Sequence, residues 1–217
     1  MEPVNAKKIL GIDQSLNATG LCLLEEGRIV LRETHRFGEE DGLTRLDRIT
    51  SRVGHVLEEH NPLTVVMEDY ARQAKSASLV PLVELGGCLK WIILKLGYSM
   101  GREAIMAGQK LLRIQNQSSM KKFMLGHGNI TKDSRYLLAV FERIQIAFED
   151  DNQADAYMHA WMTSIVLAVL QGKVSLENLP RHQVEALISA GANRKKGLSL
   201  TKAMKLPASE QLKLVGF

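Results

Sequence analysis

The chain has 217 residues, a formal net charge of +4 and a composition that is 45% apolar and 24% charged, which suits one compact domain with at most an appendage. Its two cysteines, Cys22 and Cys88, sit inside apolar runs and read as small core residues, which excludes a disulfide framework or a cysteine zinc site and fits a reducing, cytosolic setting. Met1 to Lys8 has no apolar signal core, and the longest apolar stretch, Ala154 to Leu170, is interrupted by Asp155 and His159, so neither secretion nor a membrane span is expected.

Lys8 to Asp13 (KILGID) is a short apolar run ending in an acid and predicts a buried strand. Thr19 to Glu25 predicts a second strand, with Gly27 turning it into a third, Arg28 to Phe37. Leu43, Leu46, Ile49, Val53, Val56 and Leu57 follow a helical spacing that carries to His60 and stops at Asn61-Pro62. Leu63 to Asp69 (LTVVMED) is another apolar strand ending in acids. Ser78 to Leu96 reads as a long apolar helix containing Gly86 and Gly87, and a weak strand is expected near Arg102 to Ala107. A short helix from Ser119 to Leu125 leads into the turn Gly126-His127-Gly128-Asn129. Thr131 is placed to cap a helix running to Arg143. Asp150 to Gln171 is the last strong helix, Gln183 to Ala190 a further one, and from Gly191 no period is visible. This order implies an α/β fold, a mixed sheet with helices packed against it. We divide it at 172/173, with a C-terminal helical and basic extension over 173–217.

Charge is unevenly placed. Gly191 to Phe217 holds six Lys/Arg and one acid, a local +5, so the first 190 residues sum to about −1. A second basic group comprises Lys110, Arg113, Lys121, Lys122, Lys132 and Arg135. Such clusters suit a polyanion, nucleic acid first. Ordinary solvated helix faces are the alternative.

Three places put acids at the ends of apolar elements, where a bare charge is costly: Asp13, then Glu68 and Asp69, then Asp150, Asp151 and Asp155. Asp151 and Asp155 are spaced i, i+4 and share a helix face. Hard cations such as Mg²⁺ take oxygen ligands. A pair of them roughly 4 Å apart serves phosphodiester cleavage. Other roles stay open. Asp13 could cap a turn, and Asp150 and Asp151 could favour a helix N-terminus through its dipole. His127 reads as a turn residue. His159, four residues after Asp155, reads as a core histidine or a partner of the acids.

Five segments, in order, resemble the RuvC-type Holliday junction resolvases of the ribonuclease H-like superfamily. They are Gly11-Ile12-Asp13-Gln14-Ser15-Leu16-Asn17-Ala18-Thr19-Gly20, Met67-Glu68-Asp69-Tyr70-Ala71, and the glycine-bearing Leu85-Gly86-Gly87-Cys88-Leu89-Lys90. After them come Lys121-Lys122-Phe123 with Gly126-His127-Gly128 and Lys132, similar to phage-encoded members, and Asp150-Asp151-Asn152-Gln153-Ala154-Asp155-Ala156. The chain departs from the pattern at Asn152, where family members often carry an acid. Asp151, one residue earlier, is the substitute we favour over Asp150 or Asn152.

The resemblance implies a ribonuclease H-like nuclease domain over 1–172 and a structure-selective endodeoxyribonuclease that resolves four-way junctions. Asp13, Glu68, Asp151 and Asp155 would hold two Mg²⁺ (or Mn²⁺) ions for in-line attack of water, leaving a 5′-phosphate. Lys122 and Lys132 would stand near the scissile phosphate. Tyr70 would stack on unpaired bases, unless it packs in the core. Arg72, Lys75, Lys121 and the tail residues Arg194, Lys195 and Lys196 would add DNA contacts. It further implies a homodimer, matched to the two-fold junction and built on the helix Ser78 to Leu96, acting in the cytoplasm, that of a bacterial host if phage-encoded. Three rival readings stand beside it. One is a fork- or flap-debranching nuclease with the same site, and another is a non-catalytic junction-binding protein. The third is an actin-like ATP-binding domain, for which the chain lacks a second lobe and a second phosphate motif.

Overall fold

The computed structural model describes residues 8–37, 42–69, 76–130, 135–194 and 198–215. A six-stranded mixed sheet carries β1 (Ile9–Asp13), β2 (Ala18–Glu25), β3 (Arg28–Arg36), β4 (Thr64–Glu68), β5 (Ser99–Met100) and β6 (Leu111–Gln115), in the order β3-β2-β1-β4-β6-β5. The first three strands form an antiparallel meander, and β1, β4, β6 and β5 run parallel. The β2–β3 hairpin turns through Glu26 and Gly27, both at positive φ, the geometry that matches strand twist. β1 is buried along its whole length, as a strand covered on both faces must be, whereas β3 alternates in exposure at the sheet edge.

The helices are α1 (Gly42–His60), α2 (Ser76–Lys95), α3 (Arg102–Met106), α4 (Gln117–Leu125), α5 (Tyr136–Ile144), α6 (Asp151–Leu170), α7 (Arg181–Arg194), α8 (Leu200–Ala203) and α9 (Ala208–Leu214). Leu10, Ile12, Val65 and Met67 point to the face covered by α1 and α2, where Val53, Val56, Leu85 and Leu89 complete one core. Ile9 and Val66 point the other way, toward α6, and join Ala156, Ala160, Met162 and Val166 in a second core. Strand alternation therefore turns Asp13 and Glu68 to the α6 face.

Two glycines let α6 lie directly on the sheet. A Cβ built on Gly11 would stand 2.0 Å from the carbonyl oxygen of Ala156, and one on Gly20 2.2 Å from that of Asn152. These are backbone atoms of the helix, so no side-chain rotation relieves the clash.

One sequence expectation needs correction. Arg102 to Met106 is a short helix, not a strand. The strand lies at Leu111–Gln115, where Arg113 and Gln115 break the apolar run yet are buried. Thr131, expected to cap the next helix, lies outside the described residues, and α5 starts at Tyr136 behind Arg135. The extension is folded onto the body. Leu176, Val184, Leu187, Ile188 and Leu214 belong to the α6-side core, with Leu198, Leu200, Leu206 and Leu212 packed against it. Among the described residues no helix is long and apolar enough to cross a membrane.

A candidate active site at the end of the sheet

Asp13 and Glu68 end neighbouring parallel strands, with Ile12 paired to Met67 just before them. Asp13 is 4% exposed and Asp155 fully buried. Because α6 rests on Gly20 at Asn152 and on Gly11 at Ala156, its first turn sits over β2 beside Asp13, the residue paired with Gly20, on the side where Asp13 emerges.

One hydroxyl lies in the field of these acids. Tyr136, the first residue of α5, donates its hydroxyl proton to Oδ1 of Asp155. Burial first, and then the negative charges of Asp155, Asp13 and Asp151, hold that hydroxyl far above the usual tyrosine range. Gln117, the first residue of α4, donates from Nε2 to the other oxygen of Asp155 at 3.2 Å. Both oxygens of this carboxylate are thus held by neutral donors from two different helices.

Asp150 has different work. It is the N-cap of α6: Oδ1 accepts from the Gln153 amide at 3.0 Å and from Thr34 Oγ1 at 2.8 Å, while Oδ2 accepts from Arg36 at 2.8 Å. These bonds pin the start of α6 to β3.

Behind Asp155 a polar ladder runs between α6 and the sheet. Asp155, His159 and Thr163 occupy successive turns of α6, facing Gln117, Gln115 and Arg113. Gln115 Nε2 lies 3.0 Å from His159 Nδ1, and Thr163 donates to Gln115 Oε1 at 3.3 Å. Arg113 donates from Nη1 to Thr163 Oγ1 at 3.0 Å, and burial pushes its guanidinium down to about 9. His159 is therefore a core histidine joined to Gln115. The sequence carried a signal for this ladder in its two periods, four on α6 and two along Arg113, Gln115 and Gln117.

The expected basic residues fare differently. Lys121 is 5% exposed. Its ammonium donates to the Ile130 carbonyl at 3.2 Å and lies 5.0 Å from the centre of the Tyr136 ring, so the surface DNA contact expected of it is corrected to an inward position. With Arg113 also buried, the second basic group is not one continuous surface. Lys122 pairs with Glu185 of α7 at 2.7 Å, and Arg181 reaches the same carboxylate at 3.0 Å. Together they hold Glu185 below the usual carboxylate range. Arg194 is the last residue of α7. Tyr70, Arg72, Lys75, Lys132, Lys195 and Lys196 lie outside the described residues.

Whether these residues suit a metal ion is a question of donors and of geometry. The donors are carboxylate oxygens, as hard cations require. A further oxygen is carried by the residue after Asp13: Gln14 donates from Nε2 to the Glu68 carbonyl at 3.2 Å, while its Oε1 is buried and meets no hydrogen-bond donor among the described residues. An acceptor left without a donor beside buried acids suits a cation. Among the described residues no three His, Cys, Asp or Glu side chains are gathered closely enough to hold one.

No protein-family profile matches the chain, and no curated protein sequence matches it. Solved structures do resemble it. Thermus thermophilus RuvC in complex with a Holliday junction substrate superposes with a TM-score of 0.51 at 23% identity, over 71% of this chain and 90% of that one. A second Thermus thermophilus RuvC structure gives 0.51 at 22% identity, over 76% and 96%. The yeast mitochondrial Holliday junction resolvase Ydc2 gives 0.43 at 15%, over 73% and 78%. At these identities the likeness is one of fold.

Proposed function

From the ribonuclease H-like fold it shares with RuvC, we propose that the chain is a structure-selective endodeoxyribonuclease that resolves four-way DNA junctions by paired, metal-dependent hydrolysis. The observation that carries this reading is the placement of Asp13 and Glu68 at neighbouring strand ends turned to the face that α6 covers, with Asp151 and Asp155 on the first turns of that helix. Asp13, Glu68, Asp151 and Asp155 would hold two Mg²⁺ or Mn²⁺ ions. When bound, such a pair activates water and stabilises the leaving 3′ oxygen. Tyr136 and Gln117 orient Asp155. Asp151 takes the place of the family's usual acid, because Asp150 is occupied in capping α6. Lys122 would exchange Glu185 for the scissile phosphate, and Lys132 is the second basic residue proposed to meet that phosphate. Branched DNA as substrate is supported by the junction held in the RuvC complex of the same fold.

Two symmetric nicks need two sites, and α2 offers the surface for a second copy. Val80, Val83, Trp91 and Leu94 stand exposed along one stripe of it, with Gly87 between them. Beside Trp91 lies a groove of about 460 Å³ lined by Thr50, Gly87, Cys88, Trp91 and Ile92. Trp91 both lines this groove and stands exposed, and an isologous dimer would set this stripe of α2 against its own copy. The deciding assay is cleavage of a synthetic four-way junction in Mg²⁺, beside linear duplex and flap substrates. Paired nicks confined to the junction are expected. Equal cutting of the flap would favour a debranching nuclease.

A further inference from the structure

Gln14 is the first residue after β1, and its side chain reaches across to β4. Its amide nitrogen is anchored on the backbone carbonyl of Glu68 at 3.2 Å, which fixes the carboxamide over the gap between the strand ends that carry Asp13 and Glu68. The anchored group leaves its oxygen buried with no donor among the described residues. Leaving a buried acceptor unsatisfied is costly, and such groups in folded proteins ordinarily have a partner. The surroundings say which kind of partner fits. Asp13 is the preceding residue, and the anchoring carbonyl belongs to Glu68, the acid that ends the neighbouring strand. A cluster of carboxylates draws positive charge, and a carboxamide oxygen is a normal ligand for hard cations.

We propose that Oε1 of Gln14 is an additional oxygen ligand for the divalent ion held between Asp13 and Glu68, with the Glu68 carbonyl serving as the anchor that aims it. The assignment rests on the metal-site reading above. It explains why the amide is tethered by its nitrogen, which leaves the oxygen as the end that faces the ion.

The two ends of the carboxamide are separable by substitution. Gln14→Glu keeps an oxygen at Oε1, adds a negative charge and loses the anchoring N–H. Gln14→Leu loses oxygen and anchor together. Mn²⁺ binding to the full chain without DNA, followed by electron paramagnetic resonance, reads the metal directly. The ligand role is expected to tighten Mn²⁺ binding by about tenfold in Gln14→Glu and weaken it by about tenfold in Gln14→Leu, as ligand count and charge tune such sites. A tether alone would weaken both, and Gln14→Glu binding no tighter than wild type overturns the proposal. Circular dichroism melts establish that each variant is folded. If Gln14→Glu does not fold, Gln14→Leu decides, and wild-type affinity in it overturns the proposal. Wild-type protein that takes up no Mn²⁺, or Asp13→Asn that takes it up as well as wild type, defeats the metal reading itself and the Gln14 assignment with it.

Discussion

The hydroxyl of Tyr136 donates to Oδ1 of Asp155, a carboxylate with no exposed surface. The pair joins the first residue of α5 to the first turns of α6 and fixes one oxygen of a candidate ligand. Tyr136→Phe keeps the ring under Lys121 and removes only the donor. It leaves a buried carboxylate oxygen short of a partner, so unfolding in urea should show a loss of about 1–3 kcal/mol. Groups that orient metal ligands typically matter by about 10- to 100-fold, and Mg²⁺-dependent cleavage should slow by that order. Wild-type stability and rate together would show that the bond is incidental.

Asp150 and Asp151 separate by role. Asp150→Ala removes the cap of α6 and its bonds to Thr34 and Arg36. The expected result is a stability loss of about 0.5–2 kcal/mol, while the milder Asp150→Asn keeps a capping oxygen and a near-normal rate. Asp151→Asn is expected to leave stability near wild type and to cost orders of magnitude in cleavage rate. Kinetics and thermal melts on the same preparations read both quantities, and the reverse pattern would move the ligand to Asp150.

The ends of the site are legible in the sequence because Asp13 and Glu68 each close an apolar run, a placement that few roles explain. The ladder behind them shows in the sequence only as two periods, and its partners do not. Arg113 and Gln115 break the pattern of β6, and what allows them inside is Thr163 and His159, 50 and 44 positions away in the chain. Arg102 to Met106 does not read as a helix because five residues are too few to show a helical period. The same holds for α8 and α9, of four and seven residues. Tyr136 carries no signal as a partner of Asp155, since only the packing of α5 on α6 brings them together.

The basic tail makes an electrostatic prediction that must spare its packing. Leu198, Leu200, Leu206, Leu212 and Leu214 pack on the α6-side core, so deleting residues 191–217 would strip apolar cover as well as charge. Replacing Arg194, Lys195 and Lys196 by Gln removes three charges and leaves those leucines in place. If they meet phosphates, junction affinity should drop and the slope of log K against log salt should flatten by up to about three, roughly one for each phosphate no longer neutralised. Superimposable salt titrations for variant and wild type would show that these three residues do not meet DNA.

The exposed stripe of α2 makes a prediction about assembly. Trp91→Glu places a charge on the projecting ring position without touching the core, since Trp91 is 64% exposed. Sedimentation velocity should show a dimer in wild type and a monomer in the variant. The variant should nick junctions without pairing the nicks. An unchanged dimer would place the two-fold interface elsewhere.

Whether the strand-end acids serve chemistry and not fold is open to direct measurement. Asp13→Asn and Glu68→Gln are each compared with wild type for junction binding by gel shift and for Mg²⁺-dependent cleavage of the same four-way junction. Both variants are expected to bind the junction with near wild-type affinity, and neither to cut it. Cleavage at the wild-type rate by either variant would contradict the assignment of these carboxylates as metal ligands.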